Sequence, residues 1–187
     1  MTTRRDQSPA RVHHLRGCGG FTLLELLVVI TIVGLLAGMA IAGTREARIL
    51  AAEAAAISAL HSINQAQFAY MYSCGEGRYA PTLVSLGVPV PGADQGFVSL
   101  DLAASDPLQK SGFVLELKGT EPTSGGRTCT GLVPLETYRL TADPLIPGST
   151  GRRFFGTNTD RVIYEDVTTF VDDMPEKGAP GHGAEIR

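Results

Sequence analysis

Between Phe21 and Thr44 lie 24 residues with one charged side chain, Glu25. A carboxylate held inside an apolar segment costs roughly 3 kcal/mol on insertion scales, so Glu25 calls for a cationic partner or a route to water. Two cysteines, Cys74 and Cys129, are the other groups with chemistry of their own. They stand 55 positions apart with no second Cys or suitably spaced His beside either, which is poor zinc-site spacing. A redox or metal role is the functional reading of the pair. A disulfide tying a helix end to a later loop is the structural one, and it is favoured if both lie outside the cytosol. The third cysteine, Cys18, precedes the apolar run. His13, His14, His61 and His182 are scattered, and no Walker loop, nucleophile elbow or dinucleotide fingerprint occurs. The chain therefore reads as a non-enzyme with no cofactor and no metal. Asp172, Asp173 and Glu176 form a small acidic group, and a solvated acidic tail is its favoured reading over a calcium site.

Four zones must position these groups. Residues 1–20 carry Arg4, Arg5, Arg11 and Arg16 against Asp6, a local charge of +3 in a chain of net −3. The rest is mildly acidic, which gives no reason to expect nucleic-acid binding. Residues 21–44 are long enough to span a hydrocarbon core about 30 Å thick. Residues 45–73 turn charged but stay Ala-rich and free of Pro and Gly, so one helix is expected from Phe21 to about Ser73, roughly 80 Å long. On its outer half Leu50, Ile57, Leu60, Phe68 and Met71 share an arc of roughly 80° and are expected to carry a globular domain. Arg48, Ala55, Ser58, Ala59, Ser62 and Ala66 form the opposite side. Residues 74–173 read as a head. It has short helical turns near 82–86 and 99–104 and β-rich runs at 112–118, 136–142, 153–156 and 161–166, the last two a hairpin. Three to four antiparallel strands need a cover, which the helix supplies. The Gly/Pro-rich stretch 174–187 reads as a flexible tail.

The junction Gly20-Phe21-Thr22-Leu23-Leu24-Glu25 resembles the class III signal of type IV prepilins and type II secretion pseudopilins. The likeness is specific over residues 20–38 and becomes merely architectural beyond them. It implies a pilin-like ladle of α+β class, with the inner half of its helix transmembrane and the outer half packed on a small antiparallel sheet. It further implies a cytosolic leader, residues 1–20, cut between Gly20 and Phe21 by a prepilin peptidase that then methylates the Phe21 amine. Glu25 then pairs with the Phe21 amine of a neighbouring subunit during assembly. Ala42 stands where many relatives have Pro, so major and minor subunits are not separated. Leu15–Cys18 superficially resembles a lipobox, but the stretch before Cys18 is basic rather than apolar. Ala40-Ile41-Ala42 has the form of a signal peptidase site, but the run before it exceeds an ordinary signal core.

The resemblance implies a chain that polymerises through its N-terminal helix. Its partners would be copies of itself, the peptidase, an assembly-platform membrane protein and a cytosolic ATPase. The basic leader holds the start of the helix at the inner face and places the head outside the cytosol. The expected location is therefore an inner membrane first, then a pilus or a periplasm-spanning pseudopilus. A type IV pilus subunit is the first reading and a secretion pseudopilin the second. A membrane-anchored binding module that never polymerises is the alternative from another class.

Overall fold

The computed structural model describes residues 20–186, leaving aside the side chains of residues 39–43. Helix α1 runs Leu23–Ser73, 51 residues, two residues short of the expected start. Thr22 caps it: its Oγ1 accepts the Glu25 N–H at 3.2 Å. At the other end the N–H groups of Cys74 and Gly75 both return to the Tyr70 carbonyl, at 2.9 and 2.8 Å. The chain then leaves through Glu76 and Gly77 at positive φ, 52° and 87°. Gly75 has no room for a side chain, since a Cβ there would lie 1.9 Å from the Arg78 carbonyl oxygen. The chain divides after Ala42 into two compact units, Met1–Ala42 and Gly43–Arg187. Residues 1–19, the whole of the expected leader except Gly20, lie outside the described residues, and Cys18 with them.

Within the second unit, six strands form one antiparallel meander: β1 (Leu108–Lys110), β2 (Phe113–Thr120), β3 (Thr137–Pro144), β4 (Phe154–Asn158), β5 (Ile163–Asp166) and β6 (Ala184–Glu185). The four β-rich runs are β2 to β5, and β4 and β5 make the expected hairpin. Strands β1 and β6 are too short to show a period in sequence. Alternation places Phe113, Leu115 and Leu117 of β2 beside Tyr138, Leu140 and Ala142 of β3 in a core shared with α1. Helix α2 (Leu83–Leu86) is short and held by a capping box between Thr82 and Ser85. The second expected helical turn, 99–104, is a single hydrogen-bonded turn, with Leu102 N–H to the Ser99 carbonyl at 2.9 Å.

The face of α1 that meets the sheet lies about 80° round from the expected one. Leu60 is buried, but Leu50 and Phe68 are 54% and 39% exposed. In their place Ile49, Glu53, Ala56, Ile63, Asn64, Gln67 and Tyr70 are buried. Ala59 and Ala66, expected on the far side, are buried as well. The cause is that the polar residues on this face carry their partners inward. The Asn64 Nδ2 donates to Thr157 Oγ1 at 2.9 Å, and Tyr138 Oη donates to Asn64 Oδ1 at 2.9 Å. Gln67 accepts the Ala80 N–H at 2.8 Å and donates to the Ala80 carbonyl at 3.1 Å. A buried amide satisfied on both sides escapes the penalty that a hydrophobicity count assigns to it.

The stretch expected to be a flexible tail also differs. Residues 167–183, which run into the expected tail of 174–187, cross the sheet surface opposite α1 before β6 pairs at the edge. Phe170 and Met174 are buried there, 0% and 1% exposed. Both pack on Gly156 of β4, where a Cβ would stand 2.9 Å from Met174 Sδ and 3.1 Å from the Phe170 ring. Asn158 Nδ2 donates to the Pro175 and Gly178 carbonyls at 3.0 and 2.7 Å, and Glu176 accepts the Thr120 N–H at 3.2 Å. Gly and Pro here shape a strap that follows the sheet; composition alone does not distinguish that from disorder. Phe170→Ala should destabilise the head by about 3–4 kcal/mol, read by urea unfolding of the full chain in detergent.

Candidate processing and assembly site

Gly20, Phe21 and Thr22 precede the helix in non-helical backbone, and Gly20 and Phe21 are exposed. The Gly20–Phe21 bond thus lies two residues outside α1, in exposed backbone. Glu25 is the third helical residue and its side chain is exposed. In the first turn a carboxylate faces the positive end of the helix dipole and the unpaired N–H groups there. Thr22 and Glu25 also have the Thr-x-x-Glu spacing of a capping box. This local role for Glu25 escaped the reading of the sequence, although its signal, a Thr three residues before the Glu, is plain.

Among the described residues, nothing in its own unit covers the first part of α1. Leu23, Leu24, Leu27, Ile30, Ile32, Val33, Leu35 and Leu36 are all more than half exposed. A helix apolar on every side requires an apolar surrounding. Among the described residues, no helix is long and apolar enough to cross a membrane. The side chains of residues 39–43, which complete the apolar run, lie outside that description.

At the far end of α1 the structure joins Cys74 to Cys129, with Cα atoms 4.8 Å apart. The Cys129 N–H also donates to the Cys74 carbonyl at 2.9 Å, so the loop is pinned twice to the helix end. Closing a loop of 55 positions contributes about 4 kcal/mol in the chain-entropy model. Non-reducing peptide mapping should recover the Cys74–Cys129 pair, and Cys74→Ser/Cys129→Ser should lower stability by about that amount. Two free thiols in the oxidised protein would reopen the redox reading.

A polar anchor fastens the start of the head to α1. Glu53, 2% exposed, accepts the Arg152 N–H at 2.8 Å, the Arg153 N–H at 3.2 Å and Arg153 Nε at 2.8 Å. Burial pushes the Glu53 carboxyl up, but these donors and the Arg153 charge outweigh it and hold the group below its ordinary value. Arg153 also pairs with Glu165 of β5, and Arg152 makes a two-pronged pair with Glu46 at 2.8 and 2.7 Å. The acidic trio does not come together around a metal: Glu176 binds Thr120 and Thr137, while Asp173 lies 3.7 Å from His182 Nε2. Among the described residues no group of His, Cys, Asp and Glu is placed to hold a metal ion.

Residues 15–41 match the family model of the prokaryotic N-terminal methylation motif. The chain thus carries the N-terminal signal of type IV pilins and pseudopilins. No curated protein and no solved structure matches the chain.

Proposed function

We propose that the chain is the precursor of a subunit that polymerises into a type IV pilus-like filament. The observation that carries this reading is the methylation motif at residues 15–41, which opens a helix whose apolar side chains over 23–36 are exposed among the described residues. A prepilin peptidase cuts between Gly20 and Phe21 and methylates the Phe21 amine. Residues 21–44 hold the mature chain in the inner membrane, with the head on the extracytoplasmic side. An assembly platform and its ATPase then feed the helices into a filament core, where an apolar surface round residues 23–36 is an asset. Glu25 answers the Phe21 amine of a neighbour, and the head forms the outer surface.

Mass spectrometry of the mature protein tests the first step. The expected chain begins at N-methylated Phe21. A start at Gly43 would instead mark a secreted domain, and one at Cys18 a lipoprotein. Gly20→Ala should leave the precursor uncut in the membrane, and normal maturation of that variant would remove the proposed signal.

A further inference from the structure

We propose that the end of the sheet level with residues 46–53 of α1 is a bilayer-contacting surface, resting on phospholipid headgroups while the subunit waits in the membrane. The inference rests on the reading that residues 21–44 are inserted. Three features of the head meet at this end. The β3–β4 loop, residues 145–153, follows Pro144 and is tied to α1 through Arg152 and Arg153, which bond Glu46 and Glu53. The end of β5 is brought there by the pairing of Phe154 with Asp166. Residues 46–53 of α1 come within roughly 14 Å of Thr44, the last residue of the apolar run.

This end presents apolar side chains that the head does not cover. Ile146 is 57% exposed, Leu145 49%, Val167 75% and Leu50 54%. The β3–β4 loop is closed on itself, with Thr150 N–H to the Ile146 carbonyl at 2.9 Å and Gly148 N–H to the Gly151 carbonyl at 2.8 Å. A loop so closed holds its apolar tip out rather than folding it under. The charges beside it fit an anionic surface. Glu46, Glu53, Asp143 and Asp166 each hold an internal partner, in Arg152, Arg153, Thr169 and His182. Arg45 and Arg48 are exposed and, among the described residues, form no ion pair. Apolar side chains beside arginines at the end of a membrane segment match the headgroup layer, where both gain.

The chain contains no Trp, so a single introduced one reports its own surroundings. The full chain would be placed in nanodiscs of phosphatidylcholine and phosphatidylglycerol carrying shallow brominated lipids, which quench nearby Trp. Ile146→Trp should lose roughly half its emission there, whereas Val133→Trp, in the loop at the other end of the sheet, should lose little. Because Trp itself favours the interface, amide exchange of residues 145–151 would be followed in the natural sequence too. It should slow in lipid, less so after Leu145→Ser/Ile146→Ser, and Arg45→Gln/Arg48→Gln should weaken its dependence on phosphatidylglycerol. Leu27→Trp reports insertion itself. If it is strongly quenched while Ile146→Trp is not, this proposal fails and the membrane reading stands. If neither is quenched, the membrane reading has failed. Protection of residues 145–151 that arises only in assembled filaments would make this end a contact between copies, and overturn the proposal.

Discussion

Glu25→Val should leave processing intact and abolish filaments, or reduce them to rare short ones. On position alone the change ought to help, since it removes a carboxylate from an apolar helix that costs roughly 3 kcal/mol to insert. In the proposed function, cleavage before Phe21 creates an α-amino group there, protonated at neutral pH. In a filament core that amine lies in a low dielectric, and removing its carboxylate leaves it uncompensated. Breaking one partner of a buried pair costs about 3–5 kcal/mol, and the loss recurs at every subunit. The structure adds a separate, smaller contribution, because Glu25 occupies the first turn of α1 where its charge favours the helix terminus. Glu25→Gln keeps the size and the capping-box spacing and loses the charge, so a pairing role predicts failure of assembly there too. The terminus effect alone, worth at most about 1 kcal/mol at an exposed position, predicts only a mild loss. Filaments would be counted by electron microscopy of sheared surface material, with membrane levels of mature protein as the control. Abundant normal filaments from Glu25→Val would refute the pairing, and a natural chain that is cleaved but found in no filament would favour the anchored module.

The sequence made some of this molecule readable and hid other parts for physical reasons. The long helix is legible because residues 44–73 lack Pro and Gly and are rich in Ala, and the structure ends α1 at Ser73 as expected. Strands β2 to β5 show in their alternation, and the Cys74–Cys129 link shows because the two cysteines stand alone on one side of the apolar run. What stayed hidden depends on partners distant in sequence. Asn64 and Gln67 look like solvent residues until Thr157, Tyr138 and Ala80 come beside them. Phe68, by contrast, looks like core, yet it lies on the surface with the Arg161 guanidinium 4.3 Å above its ring. The strap that buries Phe170 and Met174 depends on Gly156 leaving a shallow place on β4, which a Gly/Pro count cannot show. At the start of α1 the spacing from Gly20 to Phe21 to Glu25 was legible, while the Thr22 cap that keeps Gly20 and Phe21 outside the helix was not.

Removing the Glu53 carboxylate should cost the head about 3–5 kcal/mol. Glu53→Ala leaves the Arg152 N–H without its acceptor and leaves Arg153 only Glu165 to offset its desolvation, besides opening space beside Ile49. Glu53→Gln keeps the volume but loses the charge, so it should fall between Ala and the natural residue. The pH dependence identifies the cause. The Glu53 carboxyl is held below its ordinary 4.5 in the folded chain, so its contribution is complete above that value and is lost as pH falls through the folded value. The gap in stability between the natural chain and Glu53→Gln should therefore be widest near neutrality and close as the solution becomes acid. Asp106 and Asp143 act in the opposite sense, since burial pushes both carboxyls up and their ionised forms weaken the fold at neutral pH. They are present in both chains and cancel in the difference, which is why the comparison is between variants and not across pH in one protein. Urea unfolding of the full chain in detergent, at steps from neutral to acid, gives the result. A gap that stays constant with pH would mean that Glu53 acts by packing alone, and that its pairing with Arg153 adds nothing.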